Sequence, residues 1–108
     1  MLIEKKLKEN DIIAMKLISG DEIVAKLKLN SEYVVEVSKP IAIGISPQGA
    51  VFAPFMITSS EDVEMTFDKK HILSMIKVRK EVEDAYIQQT SSITRATGLP
   101  ADLSAGNQ

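Results

Sequence analysis

The chain has 108 residues, a formal net charge of −2 and 26% charged residues. That length suits a single hydrophobic core, and the small negative total supplies no general attraction to nucleic acid or to an anionic membrane. With no cysteine and one histidine, the composition excludes disulfides, thiol nucleophiles, and thiolate or clustered-histidine metal sites.

No run approaches the roughly 20 apolar residues of a membrane helix. Met1-Leu2-Ile3 is followed at once by Glu4, Lys5 and Lys6 instead of the apolar core of a signal peptide. A soluble, cytoplasmic protein is expected. Residues 2–9 set Ile3 and Leu7 four apart among Glu and Lys, which predicts a short amphipathic helix ended by Asn10-Asp11.

From Ile12 to Ser38 apolar residues alternate in one phase: Ile13, Met15, Leu17, then Ile23, Ala25, Leu27, Leu29, then Tyr33, Val35, Val37. This is the pattern of three half-buried strands. Gly20-Asp21 reads as a two-residue loop with positive φ at Gly20, closing an antiparallel hairpin. A slip of one residue would drive Lys16, Lys26, Lys28 and Glu36 into the core. Pro40 lacks an N–H and must bend or terminate the third strand.

Alternation resumes at Ile41, Ile43 and Ile45. Ser46-Pro47-Gln48-Gly49 has β-turn chemistry, and Ala50–Ile57 returns as the partner strand. Val63, Met65 and Phe67 form a further strand, Asp68-Lys69-Lys70 a reversal, and His71–Ile76 a last short strand. From Lys77 the period becomes helical, with Val78, Val82, Ala85, Tyr86 and Gln89 on one face and an Arg79/Glu83 pair on the other. Beyond about Thr90 small and polar residues dominate. The fold expected is mainly β: a small, strongly bent five-stranded barrel with a short N-terminal helix, an extended central hairpin and a C-terminal helix. It occupies residues 1–90, with a flexible tail over 91–108.

Met15-Lys16-Leu17-Ile18-Ser19-Gly20 followed by Ala25-Lys26-Leu27 resembles the first motif of Sm and LSm proteins. Ala25 stands where that family bends its second strand at a glycine. The acidic and Asn positions of its RNA-contacting loop fall on Ser31 and Val35, and the aromatic position between them on Tyr33. Met65 to Leu73 is similar in shape to the second motif, strand, tight turn, strand, with charged residues in place of Arg-Gly. The chain as a whole resembles small Sm-like proteins of marine bacteriophage type. SH3-like and OB-like barrels share the pattern. The resemblance implies an SH3-like barrel assembled into a cyclic homo-oligomer, with paired neighbouring edges and turn residues around a pore. For a phage protein it also implies the cytoplasm of a bacterial host.

Lys69, Lys70 and His71 make the one cationic turn between two strands, either contacting phosphates or simply solvated. Tyr33 is either a base-stacking platform or a core aromatic, and its phase favours the core. Asn30 and Ser31 hydrogen-bond a base or build the loop. Phe52, Phe55 and Met56 lie in a stretch apolar on both faces and mark an interface rather than plain core. Glu32, Glu36, Glu61, Asp62, Glu64 and Asp68 have no neighbouring His, Cys or phosphate loop to complete a catalytic set. Hence neither an enzyme nor a cofactor nor a metal is expected. The expected function is non-enzymatic: an Sm-like ring holding single-stranded RNA or DNA. The alternative is a structural or adaptor barrel that docks a protein through the apolar hairpin.

Overall fold

The structure, a computed structural model, describes residues 6–59 and 62–95. Six strands are present: β1 (Ile12–Leu17), β2 (Glu22–Asn30), β3 (Val34–Ser46), β4 (Gly49–Pro54), β5 (Glu64–Asp68) and β6 (Ile72–Lys77). A 3-10 turn, Lys69–His71, joins β5 to β6. The strands make one antiparallel sheet in the order β4-β3-β2-β1-β6, with β5 also on β3. A second unit begins at Arg79 and contains helix α1 (Lys80–Arg95).

The β1–β2 hairpin pairs Met15 with Ile23 and Lys16 with Glu22. Its loop has three residues, not two. The Gly20 N–H donates to the Leu17 carbonyl at 2.9 Å, and the Leu17 N–H to the Asp21 carbonyl at 2.9 Å. Gly20 sits at φ +97° with open space where a Cβ would be, so backbone conformation alone calls for glycine there.

The core is the phase read from the sequence as far as Leu27. Ile13, Met15, Leu17, Ile23, Ala25, Leu27, Val35 and Val37 are buried together, with Leu7, Phe55, Met65, Phe67, Ile72 and Met75 packed around them. Then the phase breaks. Pairing steps from Leu27↔Val37 to Leu29↔Glu36, which leaves Lys28 as an extra residue on β2. Leu29 is therefore 45% exposed and Tyr33 73% exposed, so the core reading of Tyr33 is overturned. Ile12, Ala14, Val24 and Ile41 are buried on the opposite phase, so β1 and β2 carry apolar residues on both faces.

A second irregularity lies at Lys39-Pro40. Pairing jumps from Val24↔Ile41 to Lys26↔Ser38, and Lys39 takes φ +51°. Pro40 thus bends β3 without ending it. Because β2 occupies one side of β3, both β4 and β5 must lie on the other side, β4 along Ile41–Ser46 and β5 along Val34–Ser38. They are two halves of one lane, β4 ending at Pro54 and β5 beginning at Glu64 on either side of the kink. The Lys39 N–H donates across this break to the Val63 carbonyl at 2.8 Å. Five lanes are thus built from six strands.

The sheet does not close into a barrel. β5 pairs only with β3 and β6 only with β1; the 3-10 turn joins them through the chain, without a ladder between them. Nor do the described N-terminal residues form a helix. Residues 6–8 have no regular structure and Glu9-Asn10 is a turn, held where the Asn10 N–H meets the Leu27 carbonyl and the Asp11 N–H the Lys8 carbonyl. The remainder of the expected helix, residues 2–5, lies outside the described residues.

In the second unit α1 runs to Arg95, so residues 91–95, expected in the tail, are helical; residues 96–108 lie outside the described residues. Of the expected helical face, Tyr86 is 2% exposed and Val82 and Ala85 half-buried, while Gln89 is exposed. Among the exposed charges Arg79 approaches Glu81 at 3.8 Å rather than Glu83, and Lys80 takes Asp84 at 2.9 Å.

Two stability measurements test this account. Leu27→Ala is expected to cost about 2–4 kcal/mol in urea unfolding and Leu29→Ala under about 1 kcal/mol. Equal losses would mean that the alternation runs unbroken through Lys28. The second concerns Asp11, whose side chain is 14% exposed and 3.3 Å from the Lys77 ammonium. The Lys8 backbone N–H first, and Lys77 after it, hold the Asp11 carboxyl below its ordinary 3.8 against the opposing effect of burial. A depressed carboxyl contributes stability that is present above its ordinary pKa and lost as pH falls through its folded one. Asp11→Asn should therefore lower the urea midpoint near neutrality and lose less on acidification from about pH 4 to about pH 2 than the parent does.

Candidate nucleic-acid interface

β5 ends where Asp68 pairs with Val34, and β6 begins where Ile72 pairs with Leu17. The three residues between must cross from the β3 side of the sheet to the β1 side. Asp68 starts the turn as its cap: its carboxylate accepts from the Lys70 N–H at 3.0 Å, and the Ile72 N–H closes it on the Lys69 carbonyl. Lys70 and Asp68 also approach at 3.8 Å, with the Lys70 side chain 74% exposed. An ion pair this open contributes little.

The β2–β3 connection is a tight loop. The Ser31 N–H donates to the Val34 carbonyl at 3.0 Å, and the Ser31 hydroxyl accepts from the Val34 N–H at 3.3 Å and donates to the Val34 carbonyl at 3.0 Å. Ser31 is thereby committed to the loop. Tyr33 projects from it, and the Tyr33 carbonyl accepts the Lys69 N–H at 2.8 Å. Thus the loop carrying Asn30, Ser31 and Tyr33 and the turn carrying Lys69, Lys70 and His71 meet at one place on the sheet.

The turn is anchored at its other end as well. The Ile18 N–H donates to the His71 carbonyl at 2.9 Å, which sets Ile18, 58% exposed, beside the cationic residues. Sequence reasoning missed Ile18, because a contact between residues so far apart leaves no local signal. Asp68 was read as part of the reversal but not as its cap, although Asp two residues before a backbone donor is a common cap. Glu32, exposed next to Tyr33, adds a second carboxylate. Asp68 stands 3.8 Å from the Lys70 ammonium, so the turn carries a carboxylate as well as its two lysines.

The hairpin residues lie apart from this site. Phe55 turns inward: its ring is 5.9 Å from that of Phe67 at 47°, and it packs on the core. Phe52 is half-buried opposite Ile43, while Met56 is 46% and Ile57 89% exposed. Among the described residues no group of three acidic or histidine side chains converges as a metal site, and no helix is long and apolar enough to cross a membrane. No protein-family model matches the chain, and no curated protein matches it.

An exposed phenol ring anchored through its carbonyl to a lysine turn offers a nucleotide two contacts at once, base on ring and phosphate on ammonium. The turn itself depends on its cap. Asp68→Ala should cost about 0.5–2 kcal/mol and speed exchange of the Lys70 amide, read by urea unfolding and hydrogen exchange; unaltered exchange would show that the carboxylate does not hold the turn.

Proposed function

We propose that the chain is a non-enzymatic Sm-like protein that assembles into a ring and binds single-stranded nucleic acid, RNA before DNA. The observation that carries the reading is the 2.8 Å bond from the Lys69 N–H to the Tyr33 carbonyl. It couples the two segments to which the resemblance assigns RNA contact, with the aromatic ring left 73% exposed. Tyr33 stacks a base, Lys69 and Lys70 meet phosphates, and His71 and Asn30 line the approach.

Assembly follows from the outer lanes. Among the described residues the β4/β5 lane and β6 each pair on one side only, and β6 exposes Leu73 at 67% and Ile76 at 57%. Pairing one copy's β5 with the next copy's β6 is a heterologous contact, which closes into a ring when the rotation allows. The ring repeats the cationic turn once per subunit, so several weak phosphate contacts act together. A cytoplasmic setting, that of a bacterial host for a phage protein, goes with this reading.

Fluorescence anisotropy of labelled U-rich and A-rich RNA at low and moderate salt tests it. The expected result is binding at low salt that weakens linearly in log–log salt. Tyr33→Ala removes the stacking ring from every subunit and should weaken binding by at least about ten- to a hundredfold, the range for a single stacked base. Lys69→Ala combined with Lys70→Ala should flatten the salt slope. Absence of binding at low salt overturns the reading and leaves the hairpin-docking adaptor in its place.

A further inference from the structure

In a chain with 26% charged residues, positions 40–60 hold none. They include the far half of β3 and all of β4. β2 reaches only to the pair Glu22↔Ile43, so beyond it the pairs Gly44↔Val51, Ile45↔Ala50 and Ser46↔Gly49 continue as a two-stranded ribbon. Such a ribbon is marginal without a third strand. Ile45 is 84% and Val51 47% exposed, and neither face carries a charge.

Edge strands are ordinarily guarded by lysine, proline or a bulge. β5 is bounded by Glu64 and Asp68 and β6 ends at Lys77. β4, Gly-Ala-Val-Phe-Ala-Pro, has no guard before its terminal Pro54. Since pairing alternates, every second residue of β4 aims its N–H and C=O away from β3. A lipid surface cannot satisfy these groups. Another uncharged strand can, and the chain itself supplies one of matching length.

We infer that β4 pairs antiparallel with β4 of a second copy about a two-fold axis at Val51, joining two rings face to face. Pro54, which has no N–H, limits the pairing to Gly49–Ala53 and so centres it on Val51, with Gly49 opposite Ala53 and Ala50 opposite Phe52 of the other copy. The contact is isologous, so it joins two assemblies instead of extending one. A single pair of this length buries far less than the roughly 800 Å² per partner of a standard interface. The inference therefore rests on the ring reading, in which the same contact recurs once per subunit and the weak pairs act together.

The absence of native cysteine makes the test direct. Val51→Cys places one thiol per chain, about 4.5–5.5 Å between Cβ atoms from its mate across the axis, and mild oxidation should link most chains in pairs. Lys16→Cys on β1, an exposed position of a strand paired on both sides, serves as the control. In light scattering the parent should be a multiple of the 11.9 kDa chain, and Val51→Lys, which sets two ammonium groups against each other at the axis, should halve that mass. An oligomeric parent whose mass Val51→Lys leaves unchanged overturns the paired rings while the single ring stands. A parent at the mass of one chain overturns both. Cross-linking at position 51 no greater than at position 16 also overturns the pairing, as does binding of the parent but not Val51→Lys to phosphatidylcholine vesicles.

Discussion

The sheet owes its curvature to a clamp of two hydrogen bonds on the 3-10 turn. The Lys69 N–H reaches the Tyr33 carbonyl at 2.8 Å and the His71 carbonyl receives the Ile18 N–H at 2.9 Å. Tyr33 and Ile18 belong to the turns at opposite ends of β2, a strand of nine residues. A flat strand of that length would separate them by roughly 30 Å, whereas three residues of chain span at most about 10 Å. β2 must therefore coil, and the Lys28 bulge is where the register gives way to permit it. Once coiled, the inner phase faces itself, and residues from Ile13 to Val37 share one core without strand pairing between β5 and β6.

The kink at Lys39 organises the other half of the sheet. A non-glycine residue at φ +51° is strained by about 1–2 kcal/mol, and the bond from its N–H to the Val63 carbonyl helps hold it there. At this point the lane beside β3 breaks into β4 and β5. Charge divides at the same place. Below the kink, strand ends carry Glu64, Asp68, Lys69 and Lys70; beyond it, from Pro40 to Ser60, there is none. The fold thus separates a polar end with the lysine turn from an apolar ribbon.

Much of this was legible in the residues. Period-two alternation located the strands and the core from Ile13 to Leu27, Gly20 announced a turn needing positive φ, and Ser46-Pro47-Gln48-Gly49 marked the second hairpin, whose return strand ends at Pro54 rather than at Ile57. What periodicity does not encode is an interruption of itself. Lys28 is an ordinary polar residue in an alternating run, yet as a bulge it moves Leu29 and Tyr33 outward. The helix expected over residues 2–9 rested on Ile3 and Leu7 four apart, but in its described part bonds from Asn10 to Leu27 and from Lys77 to Asp11 fix the chain in a turn at Glu9-Asn10. Helical propensity in so short a segment is too weak to resist them. The site was legible as two separate loops; that they touch is a property of the coil.

Electrostatics decides what such a site can do alone. In a single copy the two lysines of the turn stand beside Asp68, 3.8 Å from Lys70, and the whole chain carries −2. A phosphate near one exposed ammonium gains about 1 kcal/mol in water, and salt screens even that. Stacking on Tyr33 adds about 1–3 kcal/mol. Together these lie at or below the roughly 4 kcal/mol of millimolar affinity, so one subunit cannot hold a strand at micromolar concentration. Repetition changes the outcome, since each further contact on the same strand forms at high effective concentration. Under the proposed reading, a site this weak depends on a closed assembly, so binding and oligomeric state stand or fall together.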